Sequence, residues 1–189
     1  MPRGKSAQQD QKNADTLLSS QKDRSENVMI VDLLRNDISK NCTPGTVKTP
    51  LLFALESFPN VHHLVSTVTG ELAPESSPLG LLRDSFPGGS ITGAPKKRAM
   101  EIIEELEPLR RSAYCGSIGY LSANNHMDMN IAIRTIVASK AVMHCWGGGG
   151  IVADSMANNE FTESLDKIKL LLNTLEDSIR PTPPTPPTL

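Results

Sequence analysis

A chain of 189 residues with 38% hydrophobic residues can fill one core of ordinary size, so one globular domain is the default expectation. The formal charge of -2 and isoelectric point near 6.1 carry no basic excess, which argues against nucleic acid or an anionic membrane as partner. Three cysteines, Cys42, Cys115 and Cys145, are odd in number and lack Cys-x-x-Cys spacing, which argues against a disulfide framework or a zinc site and fits a reducing cytoplasm. There is no apolar run of membrane-spanning length, and the N-terminus lacks the apolar core of a signal peptide.

Residues 1–14 are polar and unpatterned and read as a flexible N-terminal segment; the folded domain is expected over 15–180. From about Asp15 a helical stretch runs through Leu17 and Leu18 and on to Arg35. On it Asp23 and Glu26, three residues apart, share one face. Taken alone, the pair reads as a solvated acidic face beside Lys22 and Arg24. Asn41 to Gly45 reads as a turn, and Val47, Leu51, Leu52, Phe53 and Leu55 supply apolar residues before the Pro59-Asn60 break. His62 to Leu72 is rich in branched residues and predicts a strand with one of His62 and His63 on each side. Ser77 to Phe86 reads as a short helix.

The stretch from Phe86 to Lys96, Phe-Pro-Gly-Gly-Ser-Ile-Thr-Gly-Ala-Pro-Lys, is a loop whose bare backbone can approach a ligand. Pro95 suits the first turn of a helix, and Ala99, Ile102, Ile103 and Leu106 recur at the spacing of one buried helical face up to Glu107. The free amides of that helix start, with the charge of Lys96, would favour a phosphate or carboxylate. A plain glycine-rich turn feeding a helix reads equally well. No Gly-Lys-Ser/Thr step is present, which disfavours a nucleotide triphosphate.

Beyond Arg111 the pattern is one of strands, Cys115 to Ser122 and Met127 to Val137, flanking the turn Ala123-Asn124-Asn125-His126. A further strand, Ala141 to Trp146, follows Ser139-Lys140, and such short connections imply antiparallel pairing. Tyr120 and Arg134 fall on these strands and read on their own as a core edge and a surface ion-pair residue. Gly147 to Gly150 implies that bare backbone is needed for a tight bend, for close packing or for amides offered to an anion. After Asp154 and Ser155 a helix carries Phe161, Leu165, Ile168, Leu172 and Leu175 on its predicted buried face. Glu160, Glu163 and Lys167 form a separate stripe; they read as surface charges, and two glutamates one turn apart also suit a hard divalent cation. Residues 181–189, a Pro/Thr-rich tail, are expected to be extended and outside the fold. Hairpins interleaved with amphipathic helices give an α+β class.

The run PGGSITGAPK, with the following RAMEIIEELEP, resembles the signature of the chorismate-utilising enzymes, and within them the aminodeoxychorismate synthase component I family of the para-aminobenzoate and folate branch. Matching segments extend from about Lys22 to Lys167. The resemblance implies a chorismate-binding α/β sandwich with an antiparallel sheet and packed helices, of which this chain would hold the C-terminal part. It further implies Mg2+ held by Glu26 and Glu163, with Asp23 and Glu160 in a supporting shell. Tyr120, Arg134, Lys167 and the amides of Gly148 and Gly150 would meet substrate, and Ser90, Thr92 and Gly93 of the loop are counted with them. His63 would lie beside the substrate ring. The reaction implied is replacement of the ring hydroxyl of chorismate by ammonia, supplied by a glutamine amidotransferase subunit, component II.

In that family the nucleophilic lysine lies in a Pro-Ile-Lys-Gly-Thr segment and the general-acid glutamate further upstream. Aligned on Lys22 to Asp37, both fall before Met1, and Lys5 stands at the wrong distance to replace the lysine. The expectation is therefore an incomplete copy that does not turn chorismate over by itself. The alternatives are an anthranilate synthase component I-type enzyme, whose loop reads Gly-Thr-Leu-Ser-Gly-Ala-Pro-Lys, or a non-catalytic fragment that only binds ligand or partner subunits.

Overall fold

The computed structural model describes residues 1–151 and 155–179, so the tail at 181–189 and the expected helix lead-in at Asp154 lie outside the described residues. The chain divides into two compact units where one domain over 15–180 is expected: Met1–Glu107 with Ser122–Met127, and Pro108–Leu121 with Asp128–Leu189.

In the first unit two helices, α1 (Ala7–Ser19) and α2 (Gln21–Ser39), replace the single helical stretch of the sequence reading. The break is Ser20, at ψ 111, whose hydroxyl accepts from the Asp23 amide and so caps α2. Residues 1–14 are not an unstructured lead: α1 begins at Ala7, capped by Ser6. Ahead of it Arg3 grips both carboxylate oxygens of Asp10 at 2.8 and 2.7 Å. Polar composition hides this helix because its only buried residues are Ala14 and Leu17.

Strands β1 (Lys48–Ser57) and β2 (His62–Thr69) form an antiparallel hairpin in register from Ala54↔Val65 to Ser57↔His62. The register slips between Leu51 and Ala54, where Phe53 takes φ 57 and the Arg24 guanidinium sits 4.6 Å over its ring. Both helices lie on β2. Next come α3 (Pro78–Ser85), a 3-10 turn at Gly89–Ile91, and α4 (Lys96–Leu106), with Pro95 as its N-cap. The face of α4 predicted as buried is only partly covered, with Ala99 and Ile103 half-buried and Leu106 73% exposed, because no element of its own unit packs closely along it among the described residues.

In the second unit β3 (Ser117–Leu121) pairs with β4 (Met127–Ile131), and β5 (Ile136–Ser139) pairs with β6 (Val142–Cys145) through the two-residue turn Lys140-Ala141, at φ 50 and 61. The expected strand Met127–Val137 is thus two strands. Arg134, at φ 50, stands in the break between them and not on a strand. The closing helix α5 (Ala157–Ile179) buries Ile168, whereas Phe161, predicted on the same buried face, is 66% exposed. Helices with antiparallel hairpins make the class α+β.

Candidate functional site

Within the first unit the glycine-rich loop is folded onto α2. Gly89 lies over Leu33: a Cβ there would come 2.7 Å from Leu33 Cδ1. Thr92 Oγ1 donates to the Gly88 carbonyl at 2.9 Å, closing the loop on itself, and Gly93 takes φ 134, a conformation that a side chain would resist. Ser90 is exposed. Lys96 departs from expectation. Its ammonium donates to Asp37 Oδ2 at 2.5 Å and to the Ser85 carbonyl at 2.9 Å, so its charge is turned into the protein and away from any anion at the loop.

On α2, Asp23 is occupied in the helix cap, its carboxylate accepting from the Ser20 hydroxyl. Glu26 is exposed and makes no hydrogen bond or ion pair among the described residues. The next residue, Asn27, reaches β2: its amide donates to the Leu64 carbonyl at 3.2 Å and its oxygen accepts from Ser66 Oγ at 2.5 Å. The two histidines of β2 part as alternation dictates. His62 is buried, with Nδ1 2.8 Å from Ser57 Oγ and Nε2 3.1 Å from Asp10 Oδ1. His63, the ring-adjacent candidate, is half-buried and meets Phe58 edge-on at 5.8 Å. The Arg3 guanidinium, then the Gly4 amide, holds the Asp10 carboxyl far below the usual carboxylate range. The bond from Arg83, and next that from Asn41, lowers Asp84 to about 2.

In the second unit the glycine run lies along α5. A Cβ on Gly147 would meet the Ser164 carbonyl at 2.5 Å, so close packing is one reason for bare backbone. At Gly149 a Cβ would sit 3.2 Å from Glu160 Oε2, 3.7 Å from Lys167 Nζ and 3.8 Å from Glu163 Oε1. The stripe Glu160, Glu163, Lys167 therefore converges on one glycine. Lys167 pairs with Glu163 at 2.8 Å and donates to the Gly148 carbonyl at 3.2 Å; Glu160, 9% exposed, accepts from Ser155 Oγ at 2.7 Å. Gly150 continues the run, exposed.

The sequence alone assigns no role to four residues beside this strap, Tyr114, Trp146, His144 and Arg111. Tyr114 places its hydroxyl 2.7 Å from the Cβ position of Gly148, and its ring stacks on Trp146 at 6.2 Å and 8°. The His144 ring stacks on Trp146 at 5.7 Å, and the Arg111 guanidinium sits 5.7 Å from the Tyr114 ring. The available signal was rarity: Trp146 is the single tryptophan, one residue before the glycines. Ser155, expected only to lead into the helix, instead bonds Glu160. Tyr120, 59% exposed on β3, and Arg134 make no hydrogen bond or ion pair with the strap among the described residues.

The space before Gly149, open only because it lacks a Cβ, faces two carboxylates, and hard carboxylate oxygens suit Mg2+. Two such donors are a partial set; no group of three or more His, Cys, Asp or Glu placed to hold an ion occurs among the described residues. None of the described helices is long and apolar enough to cross a membrane.

Residues 1–173 match the family described as chorismate binding enzyme. Aminodeoxychorismate synthase component 1 of Salmonella typhimurium is 55% identical over 177 residues, covering 94% of this chain and 39% of that protein. Anthranilate synthase component 1 of Thermus thermophilus is 47% identical over 175 residues, covering 93% and 38%. The crystal structure of anthranilate synthase component I from Streptococcus pneumoniae superposes with a TM-score of 0.78 at 43% identity, over 86% of this chain and 38% of that one. The chain thus spans about two fifths of the length of the curated relatives it matches.

Proposed function

The chain belongs to the chorismate binding enzyme family, and from that premise we propose that it serves the amination of chorismate to 4-amino-4-deoxychorismate, as an aminodeoxychorismate synthase component I. The observation that carries this reading is the convergence of Glu160, Glu163 and Lys167 on Gly149. Two carboxylates beside bare backbone would suit a hard divalent cation, and through its charge an anionic ligand could be held there. The Gly-Gly-Ser-Ile-Thr form of the loop supports the aminating branch over the anthranilate one.

Chorismate carries two carboxylates. Arg134 is the residue for one of them, because a guanidinium can offer two parallel charge-assisted hydrogen bonds. Tyr120, Lys167 and the amides of Gly148 and Gly150 complete the polar contacts, with Ser90, Thr92 and Gly93 contributed by the loop. Lys167, held at 2.8 Å from Glu163 and 3.2 Å from the Gly148 carbonyl, is the ammonium assigned to that contact. Glu163 and Glu26, supported by Glu160 and Asp23, are the proposed magnesium carboxylates. When bound, the ion supplies positive charge that a substrate carboxylate can meet. His63 is assigned beside the ring. Ammonia from a glutamine amidotransferase, component II, and a cytoplasmic setting belong to the same reading.

The test is a titration of the purified chain with chorismate and magnesium, followed by a turnover assay with ammonium, first with the chain alone and then with the part of a component I relative that this chain does not span added separately, and chromatographic identification of product. Formation of 4-amino-4-deoxychorismate supports the reading, and anthranilate moves the chain to the other branch. Binding without turnover selects the non-catalytic alternative. Absence of both rejects the proposal.

A further inference from the structure

Asp37, near the end of α2, is a carboxylate only 2% exposed. A buried charge is tolerated only when paired and hydrogen-bonded, and Asp37 has two ammonium partners: Lys96 on Oδ2 at 2.5 Å and Lys40 on Oδ1 at 3.5 Å. The Lys96 ammonium also takes the Ser85 carbonyl at 2.9 Å, so one charged group joins the last residue of α3 to the first of α4. The loop at 86–95 is thereby closed at its base. Beside this, buried Asn41 donates to Asp84 Oδ2 at 2.9 Å and fastens the end of α3 to the end of α2. Leu33, one turn before Asp37 and so on the same face of α2, lies under Gly89 in the middle of the loop. Foot and middle of the loop are therefore held by two side chains of one helical face.

We propose that Asp37 is a positioning residue: acting through Lys96, it fixes the backbone of Ser90 to Gly93 in the form that the substrate carboxylate or ring meets. The ligand half of this statement rests on the function proposed above. Lys96 is then a structural cation and makes no contact with ligand. Two anchors of different chemistry, a charge pair on buried Asp37 and a van der Waals contact on buried Gly89, give a loop set before the ligand arrives, which lowers the ordering cost of binding.

The experiment compares the full chain with its Asp37→Asn, Lys96→Met and Asp37→Asn/Lys96→Gln variants, after circular dichroism confirms that each is folded. Hydrogen exchange is followed at 86–95 and in β2 as internal reference, and each protein is titrated with chorismate. The expected result for Asp37→Asn and Lys96→Met is exchange at 86–95 faster by about tenfold, an unchanged β2, and a similar loss of chorismate affinity, the scale of one charge-assisted hydrogen bond. The neutral pair Asn/Gln restores part of both. Unchanged loop exchange in both single variants overturns the proposal. So does a loss of affinity in Lys96→Met with loop exchange unchanged, since that would assign Lys96 to the ligand directly. If the unsubstituted chain binds no chorismate, the functional reading falls by itself, and exchange alone decides whether Asp37 holds the loop.

Discussion

Ser66 Oγ donates to Asn27 Oδ1 at 2.5 Å, across 39 residues of chain, and with that bond α2 is keyed to β2. Ser66 Oγ also accepts from the Phe53 amide at 3.1 Å, at the point where β1 slips its register. The bond sets the rotation of α2 and hence the direction of Glu26, one residue before Asn27. Replacing Ser66 by Ala leaves the Asn27 oxygen and the Phe53 amide without this partner. The expected loss is about 1–3 kcal/mol, measured by urea unfolding. A change within error would show that water replaces the hydroxyl without cost.

The strap offers a steric test. Gly147→Ala drives a methyl group against the Ser164 carbonyl, which lies 2.5 Å from the Cβ position and is backbone. Overpacking of this kind costs about 1–3 kcal/mol. The variant is expected to melt earlier than the parent and to bind magnesium more weakly, because the strap is pushed off α5. Normal melting would mean that the glycine run shifts freely.

Arg134→Ala is expected to weaken chorismate binding by roughly ten- to hundredfold, the equivalent of a charge-assisted pair worth about 1.5–3 kcal/mol. Arg134→Lys should recover only part, since an ammonium lacks the planar fork. Calorimetric titration measures both. Equal affinity in all three proteins would remove Arg134 from the site.

Magnesium affinity should fall in Glu163→Gln and stay unchanged in Glu176→Gln, an exposed glutamate farther along the same helix. The readout is magnesium titration without substrate, so it does not depend on turnover. Equal affinities would show that the two carboxylates at Gly149 are not ion ligands.

The carboxyl of Asp84 lies below its ordinary value of 3.8, at about 2, held there first by Arg83 and then by Asn41. A group depressed in the folded state stabilises above its unfolded value and loses that contribution as pH falls through the folded one. The Asp84 contribution is therefore complete above about pH 4 and disappears between about pH 4 and pH 2. Unfolding curves of the parent and of Asp84→Asn should converge across that window. Curves that stay parallel through it would contradict the assignment.

Helices and hairpins with strong periods are legible: α4, α5 and β2 stand where alternation and breaker residues put them, and the β5–β6 turn falls one residue later than expected, at Lys140-Ala141. The joint at Ser20 is not, because hydroxyl capping interrupts a helix without disturbing the apolar spacing on either side. Nor could spacing place Arg134, whose φ of 50 is a choice of backbone that an arginine does not announce. The grouping of Glu160, Glu163 and Lys167 could be read from the helical period, yet their meeting with Gly149 needed the path of the strap. Sequence alone leaves Lys96 a free charge at the loop, because its partner, Asp37, lies 59 residues earlier.

The ring of Trp146 lies flat on Tyr114, whose hydroxyl touches the strap at Gly148, and the chain has no other indole. Its ultraviolet emission therefore comes from one spot, two residues from the candidate site. Excitation at the red edge of the absorption band would isolate that emitter from both tyrosines. Any ligand that shifts the strap alters the stacking, and with it the quantum yield, so occupancy can be followed in real time without a label or an added dye.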